Sequence, residues 1–136
     1  MSAEQNKTIA RRFFEEQDAR RGPLAPELVA PNYTAYIGSN PPMGIEGHSQ
    51  FGLAFYSAFP DLYHTMDAVV GEGDDVAVRF TLRGTHKGNF YGAPPTENKI
   101  RVTANILLHF NEGKVSELYG EFDSRGLFQQ IAPAQT

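Results

Sequence analysis

The stretch NKIRVTANILLHF (98–110), NEGK (111–114) and VSELYGEFD (115–123) decides the fold. Two alternating runs flank a polar turn that carries Gly113, so the segment reads as a long β-hairpin. A three-residue loop with Gly113 in the left-handed region pairs Phe110 with Lys114. That register sets His109 against Val115, Asn105 against Tyr119 and Arg101 against Asp123. Because side chains alternate along strands, one face carries Arg101, Thr103, Asn105, Leu107, His109, Val115, Glu117, Tyr119, Glu121 and Asp123. The opposite face carries Val102, Ala104, Ile106, Leu108, Phe110, Leu118 and Phe122. On these residues alone the polar face meets water, and Arg101–Asp123 is a surface ion pair.

Upstream, Ser2 followed three residues later by Gln5 is a capping-box pattern. Ile9, Ala10, Phe13 and Phe14 then recur at helical spacing, and Gly22-Pro23 ends the helix. Pro26–Val29 suits a short second helix, and Asn32–Ile37 a strand. From Glu46, the residues His48, Phe51, Gly52, Phe55 and Phe59 follow helical periodicity until Pro60 stops it. Such an aromatic stripe is core first, and here also a possible pocket wall. Leu62–Val70 and Val76–Arg83 read as strands around the turn Gly71–Asp75, and Gly84–Thr96 as a long connection. Helices followed by an antiparallel sheet make an α+β domain, with the helices on one side of a curved sheet.

The 136 residues suit one domain, 1–136, with a real core. A net charge of −4, with Lys and Arg scattered, gives no basic stripe for nucleic acid. There is no cysteine, hence no disulfide framework or thiolate metal site. His48, His64, His86 and His109 lie far apart without HxH or HxxxH spacing, so no metal is expected. The charged N-terminus lacks the apolar core of a signal peptide, and no run approaches membrane-spanning length. No membrane partner and a cytoplasmic location are expected.

Phe59-Pro60-Asp61-Leu62, Gly73-Asp74-Asp75-Val76, Arg79, Gly84-Thr85-His86, Gly88, Pro94-Pro95-Thr96, Gly113-Lys114, Glu117, Gly120, Asp123, Gly126-Leu127 and Gln129-Gln130 together resemble the SnoaL-like polyketide cyclases. The resemblance covers nearly the whole chain. It implies a nuclear transport factor two-like cone: N-terminal helices packed on a strongly curved antiparallel sheet that encloses an apolar pocket. It further implies that Asp123 is a general acid/base and His109 its helper, within a cavity lined by the odd face of the hairpin. No cofactor is then needed for intramolecular aldol ring closure, because one carboxylate can take a proton from carbon and return one to the alkoxide. A carboxyl in an apolar cavity has its pKa raised toward working pH. Asn105 or His109 would donate to the developing oxyanion, and Tyr36 or Tyr119 would align a hydrophobic small-molecule substrate.

The chain departs from the pattern at Tyr36, Leu118, Tyr119, Phe122 and Glu97, which leaves the substrate open. Glu121 shares a face with Asp123 and either titrates with it or partners Arg101 or Arg79. Phe51 and Phe55 complete the expected substrate-binding set. His86 reads as structural, His48 and His64 as surface or packing residues. The apolar even face of the hairpin, if turned outward, predicts a homodimer through the convex face. Rival functions are a ketosteroid-isomerase-like double-bond shift, epoxide hydrolysis, or non-catalytic binding of a small apolar guest.

Overall fold

Ser2 opens the first helix, α1 (Ala3–Arg20), by the expected capping box: its side chain accepts from the Gln5 amide at 3.1 Å, and the Gln5 side chain accepts from the Ser2 N–H at 2.8 Å. The computed structural model describes residues 2–133. The buried stripe of α1 holds Asn6, Ala10, Phe13, Phe14 and Gln17. Arg21 ends the helix in the left-handed conformation. A single 3-10 turn, Pro26–Leu28, leads into β1 (Val29–Ile37). Helix α2 (Ile45–Ala58) follows, and Phe59-Pro60 terminates it. Gly22 and Gly52 let α2 approach the end of α1: a Cβ at Gly52 would meet the Gly22 carbonyl oxygen at 2.8 Å, and Gly22 itself has φ +128.

The remaining elements are β2 (Tyr63–Glu72), β3 (Asp75–Thr85), β4 (Lys99–Asn111), β5 (Lys114–Phe122) and a short α3 (Ser124–Gln130). The sheet order is β1-β5-β4-β3-β2. The sheet is mixed, because β1 runs parallel to β5 while every other pair is antiparallel. Register breaks at Met66/Ala68 and His109/Phe110 bend a curved, open sheet around the helices. The expected α+β architecture is observed, with the sheet mixed rather than wholly antiparallel.

The hairpin register differs from the sequence expectation. Asn111 pairs with Lys114 across a two-residue turn in which Glu112 (φ 51) and Gly113 (φ 78) are both left-handed. Phe110 pairs with Val115, and the adjoining bulge then sets His109 opposite Glu117 and Asn105 opposite Glu121. Val115 is thereby turned into the core. Arg101 faces Arg83 on β3 instead of Asp123, and exchanges two hydrogen bonds between its backbone and the Gln130 side chain of α3.

The even residues of β4, from Ile100 to Phe110, are all buried, and with Val76, Val78, Phe80 and Leu82 they pack into one core with Phe13, Phe14, Phe55 and Phe59. The helices therefore cover the even face. This corrects the premise of the dimer expectation, in which that apolar face was the convex one. The odd face is the outside of the sheet.

Candidate active site

Between the helices and the inner face of the sheet lies a cavity of about 80 Å³. Its wall is largely apolar: Phe14, Phe51, Phe55, Leu62, Phe80, Leu82, Ala104, Ile106, Leu118 and Phe122. Among the few polar side chains on it are Gln17, His48, Tyr56 and His64. Few convergent polar groups in an apolar hollow make the default site hypothesis.

Asp18 from α1 organises one side. Its Oδ1 takes the His64 Nδ1 proton at 2.8 Å and the Tyr56 hydroxyl proton at 2.5 Å, while Oδ2 accepts the His64 backbone N–H at 3.0 Å. Burial pushes the Asp18 carboxyl up, but the hydrogen bonds and charge of His64, with the Tyr56 hydroxyl, outweigh it and hold the group below the usual carboxylate range. A carboxylate only accepts, so His64 carries a proton on Nδ1, and in the neutral ring Nε2 is the atom with the lone pair. Phe14 and Phe80 pack against the imidazole, with ring centroids 5.3 and 4.6 Å away. Arg21 lies over the Tyr56 ring at 4.5 Å.

His48 from α2 is the complementary group. It is 6% exposed, stacks on Tyr33, and shares a 2.7 Å hydrogen bond between Nδ1 and the Tyr33 hydroxyl. Burial, reinforced by the charge of His64, pulls its pKa down to about 4, so it is neutral at physiological pH. Among the described residues the buried Tyr33 hydroxyl has no other hydrogen-bond partner; donating to Nδ1 is the arrangement that satisfies its O–H, and it puts the His48 proton on Nε2. Neither Nε2 atom is bonded within the described residues, neither is fully sealed, and both rings belong to residues of the cavity wall. With a neutral ring, His64 thus presents a lone pair where His48 presents an N–H. Both were read from sequence as surface or packing residues; both do pack, His48 on Tyr33 and His64 on Phe14 and Phe80, and both also line the cavity.

The residues singled out in the hairpin lie elsewhere. His109, Asn105, Tyr119 and Arg79 are on the outer face, since the helices cover the even positions. His109 Nδ1 bonds Asp75 Oδ1 at 2.7 Å, which raises the imidazole pKa above its ordinary value. Tyr36 and Tyr119 stack with centroids 5.0 Å apart, and the Tyr119 hydroxyl donates to Glu117. Arg79 is exposed opposite Asn105 and is in no ion pair among the described residues. Asp123 is the N-cap of α3: Oδ1 accepts the Gly126 amide at 2.9 Å, and its own N–H donates to the Thr103 carbonyl at 3.1 Å. Glu121 reaches the cavity edge, while Phe51 and Phe55 line its wall. His86 is buried, with Nδ1 accepting from the Thr96 amide at 3.2 Å, in keeping with a structural role in its connection.

A larger groove, about 310 Å³, crosses the outer face between Val70, Arg79, Asn105, Leu107 and Tyr119. It is open to solvent and none of its polar side chains is buried, so the inner cavity is the better place for chemistry. No cluster able to hold a metal ion occurs among the described residues, and none of their helices is long and apolar enough to cross a membrane.

Solved structures share this architecture. A candidate SnoaL-like polyketide cyclase from Jannaschia sp. CCS1 is 28% identical, with 97% of this chain and 95% of that one covered at a TM-score of 0.85. IdmH, a candidate polyketide cyclase from Streptomyces antibioticus, is 25% identical over 93% and 98% of the two chains, with a TM-score of 0.83. A protein of ketosteroid isomerase-like fold from Catenulispora acidiphila, solved with trimethylamine, is 16% identical over 93% of each chain at a TM-score of 0.75, which extends the likeness of fold alone. No curated protein matches the chain by sequence. The family model described as SnoaL-like polyketide cyclase matches residues 8–131, and the chain belongs to that family.

Proposed function

We propose that the chain, as one SnoaL-like domain, closes a ring in a compact hydrophobic polycarbonyl compound by intramolecular aldol addition, with His64 as the proton-transfer group. The observation that carries this reading is the Asp18–His64 pair, whose histidine stands on the wall of an apolar cavity with Nε2 unbonded among the described residues. Nε2 takes a proton from the carbon between or beside carbonyls. The enolate carbon attacks the second carbonyl, one carbon–carbon bond forms, and the imidazolium returns the proton to the new alkoxide. Asp18 fixes the tautomer and stabilises the imidazolium as it forms. His48, neutral because burial holds its pKa low, donates Nε2–H to the oxygen where charge develops. Every proton taken is returned, so the addition balances without a redox partner.

The cavity is small beside the roughly 300–1,000 Å³ of drug-sized pockets, which favours compact substrates. Heptane-2,6-dione, which closes to 3-hydroxy-3-methylcyclohexanone, is a suitable test. Cyclisation followed by NMR should fall about 10²- to 10⁴-fold in His64→Gln. The rival acid/base is Asp123, and Asp123→Asn separates the two: a loss of that size in Asp123→Asn with His64→Gln unaffected overturns the assignment. A double-bond shift or a hydrolysis product instead of a new carbon–carbon bond would move the protein to another reaction on the same fold.

The outer face supports self-association. Tyr36, Val70, Leu107 and Tyr119 are exposed there, amid charges of both signs from Arg79, Arg83, Asp75 and Glu117. A two-fold contact between copies would cover the apolar residues and let the charges pair. Sedimentation of Leu107→Lys against the unchanged protein tests the homodimer: the proposal requires a shift toward monomer.

A further inference from the structure

Arg21 ends α1 at φ 60 and ψ 45, in the left-handed region that glycine enters freely and other residues rarely adopt. Glycine comes one residue later, at Gly22. A large side chain kept on such a backbone points to a use for that side chain. It folds back over the helix end: Nη1 donates to the Leu62 carbonyl at 3.0 Å and, more loosely, to the Asp18 carbonyl at 3.5 Å. The residue is half-buried, and no carboxylate pairs with its guanidinium among the described residues. A cation drawn out of water without an ion pair is costly, and capping a helix does not require one. The guanidinium lies instead over the Tyr56 ring, 4.5 Å from its centre. The Tyr56 hydroxyl donates to Asp18 Oδ1, the same oxygen that holds His64 Nδ1.

We propose that Arg21 is a positioning residue of the Asp18–His64 pair and acts on it through Tyr56. The proposal rests on the reading of His64 as the proton-transfer group and adds a residue that does not itself line the cavity. The order of contacts carries it. The Leu62 carbonyl, just before β2, fixes the guanidinium; the guanidinium fixes the Tyr56 ring; and the ring sets its hydroxyl on Asp18 Oδ1. Two donors, one from α2 and one from β2, then share a single carboxylate oxygen. The hydroxyl takes up part of the charge on that oxygen, so Asp18 orients the imidazole without binding its proton too firmly for return to an alkoxide. Removing Arg21 frees the ring, and the balance between the two donors is lost.

The test reads the His64 Nδ1–H proton resonance by NMR in the intact protein, without substrate. Tyr56→Phe removes the competing hydroxyl, so the bond from Nδ1–H to Asp18 should tighten and the resonance move downfield. Arg21→Gly should move it the same way, because a ring no longer held lets the hydroxyl leave Oδ1. The double variant should move it no further than Tyr56→Phe alone. Turnover of heptane-2,6-dione should fall about 10-fold or more in Arg21→Gly with KM little changed, and Arg21→Lys, which keeps a cation for the ring, should recover most of the loss. Glycine suits the left-handed backbone, so Arg21→Gly should fold; Arg21→Met, which keeps an apolar stem, is the second variant should the end of α1 loosen. A resonance unmoved in both Arg21→Gly and Arg21→Met overturns the proposal and leaves Arg21 a helix cap. A double variant whose shift is the sum of the two single ones overturns it too, since Arg21 would then act by a route other than Tyr56. Because the resonance needs no substrate, it decides the seating of Tyr56 even where the dione is not cyclised, and failure of His64 as the base is told apart from failure of Arg21.

Discussion

Asp18 grips His64 at two points: one carboxylate oxygen holds the imidazole Nδ1 at 2.8 Å, and the other holds the same residue's backbone N–H at 3.0 Å. The pair joins the last turn of α1 to the start of β2 across 46 residues of sequence. Ring orientation, tautomer and strand position are fixed by one side chain.

Asp18→Asn should therefore impair proton transfer without moving the ring far. An amide can donate to Nδ1 and select the wrong tautomer, so Nε2 would carry the proton and cease to be a base. Turnover of heptane-2,6-dione should fall about 10²- to 10⁴-fold. Nitrogen NMR of the His64 ring should show the protonated position exchanged. An unchanged tautomer with full turnover would remove the dyad from the mechanism.

His48 makes stability depend on pH in a definite window. Its folded pKa of about 4 lies below the ordinary 6.5, so between those values the unfolded chain binds a proton that the folded protein does not. Stability is full above pH 6.5 and is lost as pH falls toward 4, by roughly 3 kcal/mol. Asp18, also held low, adds a loss that begins only near the ordinary carboxylate pKa and continues below it. Urea denaturation at pH 7 and pH 5 should show the drop, and His48→Phe should flatten it. An equal drop in the variant would place the titration elsewhere.

Much of this arrangement was legible in the chain. The Ser2–Gln5 box and the Phe13–Phe14 spacing marked α1, and alternation in residues 100–110 marked the long strand. Alternation says which residues share a side, not which side the helices cover. That second fact follows from α1 and α2, whose apolar stripes need an apolar partner, and only the even face offers one. The register slipped because Glu112 takes a left-handed conformation that a non-glycine residue rarely adopts, and because the bulge next to Val115 leaves no trace in composition. Helix α3 was signalled by Asp123 three residues before Gly126, an N-cap spacing hidden by reading the strand through it. Asp18 and His64 carry no local motif, since only the fold brings them together.

Asp123 should behave as a cap. Asp123→Asn keeps an N-cap acceptor and should leave turnover and melting nearly unchanged, whereas Asp123→Ala should cost about 1 kcal/mol. Gly126→Ala should cost at least as much, because its methyl would lie 2.1 Å from Asp123 Oδ2 and force the cap apart. Thermal melts of the three variants, with turnover read alongside, check the order. Normal melting with lost turnover in Asp123→Asn would instead mark an acid/base.

Gly120 governs the room left for substrate. It lies on the cavity wall, and a methyl added there would come within 2.8 Å of Ile106 Cδ1 and 3.3 Å of Leu118 Cδ2. Both are side-chain ends that can turn, and Ile106 and Leu118 line the same hollow. Gly120→Ala should therefore shrink the cavity rather than break the sheet. Replacing a strand glycine gains roughly 0.5–1 kcal/mol of backbone entropy, which offsets the crowding, so the melting temperature should hardly move. KM for heptane-2,6-dione should rise, while His64 and Asp18 stay in place. A lower melting temperature with unchanged KM would mean that substrate does not enter between Gly120 and Ile106, and that the working pocket lies beyond the inner wall of the sheet.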